Sequence, residues 1–133
     1  YPLLIYNNSS KPFYSYYIRL LQEAKDKDGK WKAIEYFANY PSCLPSPFFN
    51  EHQPQKYCAL SIIKYHGDFK TKIRVKVKIG EYVYYSNEIE GYINHSQFDK
   101  SIARKMIKAW KPDWNDAFID EYLPFVFLEE VNK

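Results

Sequence analysis

The chain has 133 residues and a mass of 16.0 kDa, which leaves room for one domain at the usual ~150 residues each. Its 14 Tyr, 9 Phe and 3 Trp exclude intrinsic disorder, and a net charge of only +3 weighs against nucleic-acid binding. No apolar run approaches the ~20 residues of a membrane span, and no Gly-rich nucleotide loop is present.

Alternation of apolar and polar residues dominates the first ninety-five or so positions. Tyr14, Tyr16, Ile18 and Leu20 share one face of a predicted strand, with Ser15, Tyr17 and Arg19 on the other. Asp28-Gly29 supplies a turn that tolerates positive φ, and Trp31 to Phe37 returns as the second arm of a hairpin. Pro41, Pro45, Pro47 and Pro54 mark a long irregular connection. Tyr57 to Ile63 then reads as a strand on its β-branched and aromatic content.

The clearest segment runs from Phe69 to Ile79. Phe69, Thr71, Ile73, Val75, Val77 and Ile79 alternate with Lys70, Lys72, Arg74, Lys76 and Lys78. A period of two sends the first set into a core and the five cations to the opposite face. Gly80-Glu81 turns the chain, and Tyr82 to Tyr85 returns as its partner.

The last forty residues change period. Ser96-x-x-Asp99 resembles a capping box, and Phe98, Ile102 and Met106 recur every fourth residue, predicting a helix over about 97–110. Trp114, Phe118 and Tyr122 repeat that spacing in a second helix, which Pro124 should stop. Phe125 to Leu128 then reads as a final strand or arm. The fold class expected is mainly β: an antiparallel immunoglobulin or fibronectin-like β-sandwich over 1–96, with a helical C-terminal extension, 97–133, packed on the same domain. Residues 64–111 carry a net +6 and 112–133 a net −5, so the acidic tail is the expected partner of the basic middle.

Polar constellations point away from catalysis. His52, His66 and His95 sit in no nucleophile or metal motif, and no G-x-S-x-G elbow occurs. A zinc set from Cys43, His52, Cys58 and His66 lacks any C-x-x-C or H-x3–5-H pair. The Asp26-Lys27-Asp28-Gly29 run lacks the sixth-position Gly and twelfth-position Glu of a calcium loop. Neither a metal nor another cofactor is expected. Cys43 and Cys58 bracket the Pro-rich connection; they form a disulfide if the protein is exported and are two buried thiols otherwise.

Two surface features remain as candidate binding sites. Lys72, Arg74 and Lys76, at the centre of the cationic strand face, could hold an anion or simply solvate the sheet beside Glu81, Glu88 and Glu90. Tyr17, Tyr82 and Tyr84 are expected to point away from the core, and Trp110 and Trp114 flank Pro112. Exposed rings of this kind anchor protein partners or stack on sugars; the alternative is that they seat the helices on the sheet.

The stretches Asp28 to Tyr36, Tyr65 to Arg74 and Tyr85 to Asn94, continuing to Gln97-Phe98, resemble a family of uncharacterised exported β-sandwich proteins of Bacteroidetes-type bacteria. The strand Lys70 to Ile79 followed by Tyr85-Ser86-Asn87 is also similar to the last two strands of fibronectin type III domains. The resemblance covers about residues 10–98 and implies export to the periplasm, envelope or surroundings, with no functional residue to carry over. The expected function is therefore a non-enzymatic, protein-binding domain, a subunit of a larger assembly, without nucleic acid or a membrane span. A carbohydrate-binding module that uses its exposed aromatics is the alternative.

Overall fold

The computed structural model describes residues 1–15, 18–36 and 50–129. Among these, the strands are β1 (Pro2–Tyr6), β2 (Phe13–Tyr14), β3 (Ile18–Lys25), β4 (Trp31–Ala33), β5 (Glu51–His52) and β6 (Tyr57–Ser61). They continue with β7 (Phe69–Ile79), β8 (Tyr82–Tyr85) and β9 (Ile89–Ile93), and the chain ends in helices α1 (Ser101–Trp110) and α2 (Asp116–Val126). The molecule is mainly β, its strands pair antiparallel throughout, and both helices are C-terminal.

The 11-residue β7 is the spine, as its unbroken alternation requires. One edge pairs with β3, from Ile18 opposite Ile79 to Ala24 opposite Ile73, and β4 extends the sheet beyond β3. The other edge is shared: β9 takes the first half of β7 and β8 the second. Ser86 marks the break between them. Its N–H donates to Val75 O at 2.9 Å, while its hydroxyl accepts the Val75 N–H at 2.8 Å in place of a backbone carbonyl.

The inner face of β7 carries two apolar clusters. Val75 and Val77 pack with Leu3 of β1 and with Ile5, Leu20 and Leu60, so the β1–β6 pair lies over this half of the sheet. Ile73 packs with Ala24, Ile34 and Ile93, flanked by Tyr65, Phe69 and Phe98. Gly67 passes so close to β9 that a Cβ there would meet the Ile93 carbonyl carbon at 2.1 Å. The helices cover the opposite face of the sheet, where Leu21 and Ala33 join Ala103, Ile107, Ile119 and Val126.

Several local expectations change. Pro124 lies inside α2, which runs on to Val126 before ending. Leu128 then takes a left-handed φ of 51°, and Glu129 N–H reaches back to Pro124 O at 2.8 Å in a Schellman-like closure. Burial of Leu128 and Phe127 in the helix–sheet core holds that non-glycine cap, so the apolar 125–128 run ends a helix and is not a strand. On α1 the buried positions are Ala103 and Ile107, whereas Ile102 and Met106 are exposed; the inward stripe is one residue on from the expected one. A 3-10 turn over His95–Phe98 precedes α1, and the Asp99 carboxylate accepts the Ser101 N–H at 2.9 Å. The acidic tail does meet cations of the 64–111 block, on α1 and its approach rather than on β7: Arg104 pairs with Asp116 and Asp120, and Lys100 with Glu129.

Candidate functional site

The five cations of β7 occupy one sheet face, and their surroundings differ along it. Lys70 pairs with Glu90 and Lys72 with Glu88, each at 3.2 Å. The Lys72 ammonium beside Glu88 holds that carboxyl below its ordinary range, and Glu90 pushes Lys70 up. Further along, Arg74 bonds Glu23 at 2.8 Å and lies between two rings, 4.2 Å from Trp31 and 3.9 Å from Tyr85. Lys76 is buried beside the same Glu23 carboxylate, at 3.7 Å. Glu81 makes no ion pair among the described residues, so Glu23 takes the role expected of it. Lys72, Arg74 and Lys76 are thus each ion-paired, Arg74 and Lys76 sharing the single Glu23 carboxylate, and two of the three are enclosed by stacking or burial.

The aromatic candidates fall in separate places. Tyr17 and Cys43 lie outside the described residues. Trp110 is exposed on α1 with Lys111 over its ring, and Trp114 is half-buried against Phe118 and Tyr122. Both belong to the helical face of the molecule.

Tyr82 and Tyr84 require a correction. They stand opposite Ile79 and Val77, whose side chains face inward, so these rings lie on the core-facing side of β8. Val83 and Tyr85 take the outward side. Yet Tyr82 is 71% exposed and Tyr84 54%, because among the described residues the layer above is two strands wide and ends at β1. Between β1 and β8 this leaves a groove of about 550 Å³. Its floor is Val77 and Ile79, its walls are Leu4, Ile5, Tyr82 and Tyr84, and Asn8 and Ser9 form a polar end. Among the described residues no charged side chain lines it. A second, smaller hollow of about 130 Å³ continues past Ser86 toward Ile89.

The predicted return strand flagged the tyrosines but assigned Tyr82 and Tyr84 to the outward side; it could not place them on an uncovered inner face. The groove depends on β1 pairing with β6 more than fifty residues away, and no local pattern announces that partnership.

His52 Nε2 lies 2.6 Å from Ser15 Oγ and 3.7 Å from Cys58 Sγ, so a hydroxyl and a thiol share one ring nitrogen. Burial pushes the Cys58 thiol up, the reverse of what a thiolate nucleophile needs. Among the described residues no group of three His, Cys, Asp or Glu side chains is placed to hold a metal ion. No described helix is long and apolar enough to cross a membrane. Comparison with protein families, with curated proteins and with solved structures finds no match to this chain.

Proposed function

We propose that this chain is a non-enzymatic protein-interaction domain and that the β1–β8 groove is its binding surface. One observation carries the reading. Tyr82 and Tyr84 face inward, where a sandwich normally buries its side chains, and remain more than half exposed over an uncharged floor. An apolar hollow with amphipathic rings at its wall is the composition of a protein-binding hot spot.

Strand order supports the immunoglobulin or fibronectin-like reading of the fold. A β1–β6 pair facing a β4-β3-β7-β8 sheet corresponds to strands B and E opposite C′, C, F and G. In the exported bacterial setting that the sequence resemblance implies, such a domain would act as a subunit of a larger assembly. A sugar ligand is the second reading, favoured by Asn8 and Ser9 at one end of a tyrosine-walled groove.

A photo-reactive benzoylphenylalanine at Tyr84 tests the proposal in the source cells, with the same group at exposed Lys30 as control. A discrete protein adduct at position 84 and none at 30 is expected. Identical labelling at both positions, or binding on a glycan array with no protein adduct, would overturn it.

A further inference from the structure

The hydrogen-bonding edges of the groove say more about its occupant, and this step rests on the interaction reading above. Tyr1 O accepts from Ile62 N–H, and Asn7 N–H donates to Lys56 O. Antiparallel pairing alternates, so Tyr1, Leu3, Ile5 and Asn7 spend their main-chain groups on β6. Pro2, Leu4 and Tyr6 therefore turn theirs the other way, toward the groove. Among the described residues no strand pairs with that edge. At Pro2 only a carbonyl is offered, which leaves the N–H and C=O of Leu4 and Tyr6 as the complete pairing sites.

A strand laid beside β1 at the usual ~4.8 Å spacing sits over β8, and its inward side chains fall on Ile79, Tyr82 and Tyr84. One added element would thus satisfy two deficits: an unpaired row of main-chain groups and an uncovered apolar sheet face. A small molecule would satisfy only the second. The described lining carries no charge, so the inserted side of the strand is apolar, and the five residues of β1 set its length at roughly five to seven residues.

We infer that the domain binds by strand addition: an extended segment of a partner protein, apolar at alternate positions, pairs with β1 and completes the smaller sheet. Main-chain bonds supply the affinity in this mode and alternate side chains the selectivity. Any segment with the right alternation is therefore a usable probe.

The probe is an acetylated, amidated Thr-Val-Thr-Ile-Thr-Val-Thr peptide at millimolar concentration, added to the full chain and read by amide hydrogen exchange. Exchange at Leu4 and Tyr6 should slow at least about fivefold, with little change at the turn residues Asp28 and Lys30. N-methylation of one alternate set of peptide amides should abolish the effect, and of the other set preserve it, because only one set faces β1. No protection at Leu4 and Tyr6, or equal loss from both methylated peptides, overturns strand addition. So does protection that grows with protein concentration in the absence of peptide, which means that a second copy fills the edge. Protection already present in the dilute, peptide-free chain means that the chain covers the edge itself and equally overturns it. A protein adduct at position 84 without peptide protection would leave the interaction reading standing and remove only strand addition.

Discussion

Val77 and Tyr84 stand directly opposite each other across the β7–β8 ladder with side chains on the same sheet face, yet Val77 is 5% exposed and Tyr84 54%. The difference lies in what is above them. Leu3 of β1 covers Val77, and the covering layer stops before it reaches Tyr84. Truncating the two should therefore have unequal effects. Val77→Ala opens a cavity in the Leu3–Val75 cluster and should cost ~2 kcal/mol in denaturant unfolding. Tyr84→Ala should leave the denaturation midpoint almost unmoved. Equal destabilisation by both would mean that Tyr84 is already packed.

Glu23 is the hub of the opposite face. It is buried, bonds Arg74 at 2.8 Å and lies 3.7 Å from buried Lys76. Glu23→Gln removes the compensating charge from two cations, both enclosed, and should cost ~3 kcal/mol. Arg74→Lys should also destabilise, because an ammonium cannot reproduce a planar guanidinium between the Trp31 and Tyr85 rings. Lys72→Gln, which breaks only the solvent-exposed pair with Glu88, should be close to neutral. Thermal denaturation of the three variants checks the order. A Lys72→Gln loss as large as that of Glu23→Gln would contradict it.

Acid should loosen the β3–β4 turn. Asp26 accepts the Lys32 ammonium at 2.8 Å and the N–H groups of Asp28 and Lys30 at 2.9 Å each. The lysine first, then these backbone donors, lower its carboxyl from the ordinary 3.8 to about 2. A depressed folded-state value stabilises above the unfolded value, and that contribution fades as pH falls from about 4 through about 2. The melting-temperature gap between the parent and Asp26→Asn should thus be widest near neutrality and close toward pH 2. A gap independent of pH would show that the carboxylate's charge contributes nothing.

The local grammar of the chain was readable where one strand or turn decides its own fate. The alternation of Phe69 to Ile79 defines β7 to the residue, and Gly29 and Gly80 adopt the positive φ that their turns demand, 75° and 59°. What could not be read depends on distant partners. Pro2–Tyr6 is too uniformly apolar to alternate clearly, and it becomes a strand because β6 pairs with it. Ile102 and Met106 have helical spacing, but Ala103 and Ile107 on the same helix are the positions packed beside Leu21 and Ala33. Pro124 lacks the N–H of a helix interior, yet packing of Val126, Phe127 and Leu128 carries α2 past it. The cationic stripe was legible, but its main counter-charge, Glu23, comes from a strand more than fifty residues away.

The helices should be integral to the fold. Ending the chain after Phe98 uncovers Leu21 and Ala33, which are otherwise buried against α1 and α2. Exposed apolar surface of this kind drives association, so light scattering should find oligomers and a lowered melting temperature. A monodisperse, equally stable truncated chain would show that the sheet stands without its helical cover.

The most direct test of the account is the affinity of Tyr82→Ser/Tyr84→Ser for the protein captured at position 84, measured together with its melting temperature. The groove reading predicts at least about a tenfold loss of affinity, weakly dependent on salt, with the melting temperature nearly unchanged. Affinity that persists in the double variant but falls steeply with salt would move binding to the charged face and contradict the account.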